Sequence, residues 1–270
     1  VEADFTLSDL SFSYLSPYLP PDLEVQGSLD GHGRFTQSGE NNPFANIALK
    51  SSVIHLLSRT THNQTEQEKD DLIIKFQPAD FSMHMEHGGL EAQAELPLSP
   101  SDRIAFTGSI AGDKSSLVER ELNAEITTII NDLDFIAALS PEVQNLSGSL
   151  NGNMFITGSL EAPVLRGKMA LLEGEAELER PGLNLKDIQV ELSGEGANGL
   201  RLNAHATSAE GQLNIAGTYD LQGNADMDVK GENFRVINTL EAQIDASPDL
   251  SITLRPTRID VGGKLVIPKG

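Results

Sequence analysis

The chain has 270 residues, enough to bury a sizeable core, and sets 19 Lys and Arg against 40 Asp and Glu for a formal net charge of -21. That balance excludes a nucleic-acid partner, which needs a basic footprint to displace counterions, and it repels anionic membrane surfaces. The absence of cysteine excludes disulfides, thiolate metal sites and a cysteine nucleophile.

Tryptophan is absent, aromatic residues make up 5%, and there are 24 glycines. A compact core of this size draws on more large rings, so the composition points to thin, repetitive β structure. No run of apolar residues reaches the 18 or so needed to span a bilayer as a helix. The chain begins at Val1 with no signal peptide, so it is expected to be a piece of a longer protein.

Period-two alternation, which puts every second residue on one face of a strand, recurs along the chain. Leu23, Val25, Gly27, Leu29, Gly31, Gly33 and Phe35 share one parity, and so do Phe81, Met83 and Met85. The stretch LSGSLNGNMFITGSL at 146–160 keeps the rhythm longest, with Phe155 the one apolar residue out of phase. Further runs follow at Ile188–Gly194, Leu213–Gly217, Ala225–Gly231, Leu250–Leu254 and Val261–Ile267. Glu-Gly, Asn-Gly and Pro-Gly pairs punctuate them.

Helical signals are short. SPYLPPDL at 16–23 and FIAALSPEV at 135–143 each predict a turn or two, and KSSLVEREL at 114–122 is ambiguous. The stretch 58–71, SRTTHNQTEQEKDD, has no apolar residue and reads as a mobile hairpin loop or an insertion.

The motif GSLDG at 27–31 has a near-copy, GSLNG, at 148–152. At that offset Pro20 meets Pro141 and Val25 meets Leu146. Self-similarity of this kind predicts stacked units sharing one core, with a first unit at 1–130, which includes the polar loop 58–71, and a second at 131–270.

Candidate chemistry is sparse. On a strand, His84 and Glu86 face one way and Met83, Met85 and His87 the other, so the two histidines do not converge on a metal ion. Asp132/Asp134 and Asp226/Asp228 are same-face carboxylate pairs, the spacing of a glycosidase or calcium site, but no base, nucleophile or oxyanion donor accompanies them. There is no G-x-S-x-G, P-loop or H-E-x-x-H. The reading is a non-enzymatic protein with no cofactor and no metal.

What remains is the apolar face. It belongs either to a closed sandwich or solenoid core, or to a sheet curled into an open trough with an aliphatic lining. The residues of shared parity that line it in the second case are Leu29, Phe35, Leu146, Leu150, Met154, Ile156, Leu160, Leu213, Ile215, Leu250, Ile252 and Leu254.

The segment LSGSLNGNMFITGSLEAPVLRGKMALLEGEAELERPGLNLKDIQVEL at 146–192 resembles the TamB family of Gram-negative bacteria. Gly158-Ser159-Leu160, Pro163, Leu165 and Gly167 match a G-x-L-x-x-P-x-L-x-G step. Pro181-Gly182-Leu183-Asn184-Leu185 and Ile188 match P-G-L-x-L-x-x-I. Ser247-Pro248-Asp249-Leu250 and Gly263 to Pro268 look like the S-P-D-L and G-x-V-x-V-P signatures of the C-terminal region. The first half of the chain matches through its repeat architecture alone.

The resemblance implies an all-β fold, an elongated curled β-sheet (a β-taco, or open solenoid groove) with short helical turns between repeat units. It implies an AsmA-like bridge-type lipid-transfer protein of the periplasm, anchored in the inner membrane by a segment outside this chain. The implied partners are a TamA-like outer-membrane barrel, phospholipids and outer-membrane protein clients such as autotransporters. A β-augmentation platform for those clients, without lipid conduction, is the alternative.

Overall fold

The computed structural model describes residues 1–18, 23–37, 43–60, 69–112, 116–133 and 142–268. They are almost all strand, and every strand pairing given below is antiparallel. Contacts divide the chain into two units, Val1–Thr127 with Gly158–Glu161, and Thr128–Thr157 with Ala162–Gly270. No described helix is long and apolar enough to cross a membrane.

The strands of the first part are β1 (Glu2–Ser11), β2 (Leu23–Gln26), β3 (Ser28–Gln37), β4 (Pro43–Ser51), β5 (Ile54–Thr60), β6 (Lys69–Phe76), β7 (Asp80–Glu86), β8 (Gly89–Pro97), β9 (Arg103–Ile110) and β10 (Glu121–Ile130). Their main sheet runs β1-β3-β4-β7-β8-β9-β10, and β2-β5-β6 form a three-stranded sheet.

The small sheet is not a separate motif. β2 runs into β3, β4 into β5 and β6 into β7, and the neighbour order is the same in both sheets. Three chain segments therefore cross one bend line together, at Gly27, at Ser52-Val53 and at Gln77–Ala79.

Local chemistry sets that line. Gly27 has φ +134°, a conformation that favours glycine, and a Cβ there would stand 2.9 Å from the carbonyl oxygen of Val53. Two serines take over where the ladder breaks. Ser52 Oγ accepts the Ser28 N–H at 2.8 Å and Ser51 Oγ accepts the Ala79 N–H at 2.7 Å. Ser51 is 5% exposed, and its hydroxyl satisfies a part-buried donor that the ladder leaves free.

The second part holds β11 (Val143–Ser159), β12 (Pro163–Leu178), β13 (Leu183–Gly194), β14 (Leu200–Ser208), β15 (Gly211–Tyr219), β16 (Ala225–Glu232), β17 (Phe234–Asn238), β18 (Gln243–Arg255) and β19 (Arg258–Val266). They pair in sequence from β11 to β16. β18 then pairs with β16 and is flanked by β17 along one part and β19 along another.

β11 and β12 are 17 and 16 residues long, about three times an ordinary strand. The long rhythm of 146–160 is thus one continuous strand. Glycine and bulges let it depart from a straight course. Gly148 has φ +125° and Gly152 φ +152°, and register shifts interrupt β12 around Gly174, next to Glu173 at φ +54°. The matched motifs thus share a positive φ at their first glycine, Gly27 and Gly148.

The helical expectations fare unevenly. A 3₁₀ helix spans Phe12–Tyr18, ahead of the predicted 16–23, and another covers Leu117–Glu119 before the chain turns to strand at Glu121. Residues 134–141 lie outside the described residues. At 58–71 the ends belong to β5 and β6, so the hairpin strands reach further into this polar stretch than the sequence predicts; 61–68 lie outside the described residues.

The bend residues are testable. Ser51→Ala leaves the Ala79 N–H without its partner at a part-buried site and lowers stability by about 1 kcal/mol in urea denaturation. Gly152→Ala sets a Cβ against the Lys168 carbonyl oxygen at a positive φ and costs roughly 1–3 kcal/mol. Gly262, with open space around its Cβ position and no positive φ, is the control, and Gly262→Ala shifts stability by less than about 0.5 kcal/mol.

Candidate functional site

Directly paired residues of antiparallel strands put their side chains on the same face, so register decides what each face carries. In the first unit one row reads Phe5, Gly33, Ile47, Met83, Ala92, Gly108 across β1, β3, β4, β7, β8 and β9. Two further rows on that face read Leu7, Gly31, Leu49, Phe81, Ala94, Phe106 and Ala3, Phe35, Ala45, Met85, Leu90, Ile110. The alternate rows include Asp4, Arg34, Asn46, His84, Glu91 and Ser109. Along these rows one face is apolar and the other largely polar.

The second unit repeats the arrangement. Met169, Leu192, Leu202, Gly217, Met227, Ile252 and Val261 form one row. Leu171, Val190, Ala204, Ile215, Val229, Leu250 and Gly263 form the next. β11 lies beside β12, where the Cβ position of Gly152 abuts Met169 Cα and that of Gly167 lies 3.3 Å from Met154 Cα.

These side chains are covered only in part. Leu49, Phe81, Phe106, Leu192, Leu202, Ile215 and Val229 are half-buried, although they sit in the middle of their sheets. Among the described residues the large side chains that are fully enclosed are Ile130 and Leu133. A sandwich sealed over such rows encloses its central residues, commonly below a tenth exposed. The apolar faces are open to that extent.

A cleft of about 690 Å³ follows the row Leu7, Gly31, Leu49, Phe81, Ala94, Phe106. The residues on either side of that row, among them Asp30, His32, Lys50 and Asp80, also line it. Its size is that of an ordinary ligand cleft.

Of the residues expected to line a trough, Leu29 and Phe35 sit on the apolar face of the first unit, and Leu213, Ile215, Leu250, Ile252 and Leu254 on that of the second. Leu146, Leu150 and Ile156 are half-buried on β11, and Met154 is 5% exposed. Leu160 falls just past the end of β11 and is 44% exposed, so the strand parity that selected it has already lapsed. Phe155, out of phase in the sequence, is 40% exposed.

Leu49, Phe106 and Leu202 join the face without having been singled out, and Met83, Met85 and Leu192, read as strand parity but not as trough lining, join it too. Their period-two spacing is visible in the sequence, but only the pairing register places them in common rows.

The polar face is held by cross-strand pairs. Arg34 Nε donates to Asp4 at 2.7 Å, Lys50 lies 3.4 Å from Asp80, and Lys168 lies 2.5 Å from Glu191. Hydrogen bonding from Arg201 holds the Glu195 carboxyl below its ordinary range, and the Asn224 side chain and backbone do the same for Asp220. None of the resolved shifts falls on an apolar-face residue.

The histidine cluster differs from its expected geometry. β7 ends at Glu86, and His87 enters a left-handed turn at φ +51°, which takes it out of the strand alternation. Glu86 then lies between the two rings, 3.7 Å from His84 Nε2 and 3.6 Å from His87 Nδ1. Among the described residues no group of three or more His, Asp or Glu is placed to hold a metal ion. Asp226 is bonded to Thr253 and Arg255, and Asp228 to Ser251, while Asp134 lies outside the described residues.

No curated protein and no solved structure matches the chain. The family model described as TamB, N-terminal domain, matches residues 2–171, whereas most of the motifs named above lie between 146 and 270. With well over half its length matched and its strands open and antiparallel throughout, the chain belongs to the TamB family.

Proposed function

We propose that the two apolar faces are stretches of a hydrocarbon-lined groove that conducts phospholipids between the inner and outer membranes. The observation that carries this reading is the register, which lays apolar rows side by side across six or more strands while leaving them half-covered. Burying a methylene against such a face is worth about 0.8 kcal/mol, so an acyl chain gains steadily along it. Six strands about 4.8 Å apart run for roughly 24 Å, a length suited to one extended chain.

Family membership supports placing this groove in the cell envelope. We assign the chain to the periplasmic part of an inner-membrane-anchored protein that works with a TamA-like outer-membrane barrel in assembling outer-membrane proteins and autotransporters. We assign residues 1–130 to a first groove unit and 131–270 to a second, whose motifs resemble those of the family's C-terminal region although the N-terminal-domain match extends to residue 171.

The unpaired outer edge of β19 favours a second reading. Among the described residues β19 pairs only with β18, and Ile259, Val261 and Leu265 are 66%, 63% and 53% exposed. Such an edge accepts an added strand, which fits a platform for outer-membrane protein clients.

Mass spectrometry of the purified chain is expected to find co-purified phospholipid. Leu150→Asp and Ile156→Arg reduce it while melting within a few degrees of the parent; cooperative unfolding of both variants instead would mean a sealed core. Proline at an outward-pointing N–H of β19 separates the two readings. It abolishes binding of an outer-membrane protein strand and leaves bound lipid unchanged if the edge, and not the groove, receives clients.

A further inference from the structure

The glycines of the apolar face lie beneath other side chains. A Cβ on Gly33 would collide with Cε1 and Cζ of Phe5, and one on Gly31 with Cδ2 of Leu49. At Gly108 it would stand 2.8 Å from Cζ and 3.3 Å from Cε1 of Phe106, with Ala124 Cβ at 3.5 Å. Gly33 is buried while Phe5 above it is 44% exposed. The Phe5 and Phe106 rings thus lie down on the sheet in the gaps that glycine leaves.

At Gly31 a Cβ would also stand 2.6 Å from the Ala48 carbonyl oxygen, so the backbone itself calls for glycine there; at Gly33 the nearest backbone atom is the Asn46 oxygen at 3.2 Å, and at Gly108 the nearest atoms are all side chain. Neither Gly33 nor Gly108 has a positive φ, and at Gly108 the closest backbone leaves room for a side chain. What glycine supplies is space under a ring. Phe106 lines the 690 Å³ cleft, as do Leu49 and Phe81 in the same row.

We propose that Gly108 and Gly33 set the clear height above the apolar face of the first unit, and thereby how much hydrocarbon it admits. A side chain at Gly108 lifts Phe106 off the sheet and into the space the ligand would use; one at Gly33 does the same to Phe5. The assignment rests on reading the face as an acyl-chain site. It deepens that reading by naming two residues that govern capacity without themselves touching the chain.

The test uses a benzoylphenylalanine crosslinker replacing Phe81, in the same row as Phe106, and a second replacing Ile215 in the other unit. Each purified protein is exposed to vesicles of phosphatidylethanolamine and phosphatidylglycerol, and lipid adducts are counted by mass spectrometry. Gly108→Leu is expected to lower adducts at position 81 about tenfold and to leave those at 215 unchanged. Adding Phe106→Ala restores them, which a merely destabilised sheet cannot do.

Adducts at 81 that are indifferent to Gly108→Leu overturn the proposal and leave the lipid reading standing. No adduct at either position in the parent protein overturns the lipid reading, and this proposal with it. If thermal melting finds Gly108→Leu unfolded, the graded pair Gly108→Ala and Gly33→Ala is read instead, and undiminished adducts in both folded variants count against the role.

Discussion

Register is the constraint on which the rest of this structure depends. Side chains alternate with period two, so a slip of one residue between neighbouring strands exchanges their faces completely. A slip at β3 and β4 would bring Asp30 and Lys50 into the places of Gly31 and Leu49. The cross-strand pairs on the polar face, such as Arg34 with Asp4 and Lys50 with Asp80, are exposed and individually weak. Their contribution lies in selection among registers. Each is satisfied in one alignment only, and that alignment is the one in which the apolar rows are unbroken.

Glycine has two separable duties in such a sheet. At Gly27, Gly148 and Gly152 it supplies a positive φ where a strand turns from its course. At Gly31, Gly33 and Gly108 it supplies space, and an aliphatic or aromatic neighbour lies over it. Sequence spacing treats all of these alike, since each falls on the apolar parity. The serines divide in a similar way: Ser51 is in register with Leu29 on the apolar face, yet its hydroxyl is committed to the Ala79 N–H across the bend.

The strands and their oily parity were legible in the sequence because period two is a local property. Phe81, Met83 and Met85 announce it within five residues. What joins them to Leu49 and Ala94 is a pairing choice spread over tens of residues, and no local pattern encodes it. Leu160 shows the limit from the other side, since parity carried past the end of β11 selects a residue that no longer belongs to a strand. His87 fails for the same reason: the alternation stops at Glu86, and a left-handed turn takes over. The break of three strands along one line was equally hidden, being marked by a glycine in one strand, serines in the next and Pro78 in the third, three different residue types with no shared local pattern.

An open apolar face in water carries a hazard, because contiguous apolar patches beyond a few hundred Å² drive association. The chain's net charge of -21 bears on this directly. Carboxylates crowd the polar faces, so two copies approaching one another meet repulsion over much of their surface, and high net charge keeps proteins apart. A neutral hydrocarbon chain meets no such barrier. The same imbalance that excludes nucleic acid therefore discriminates between a second copy and a small uncharged tail, and it does so at a distance, before any contact with the apolar rows is made.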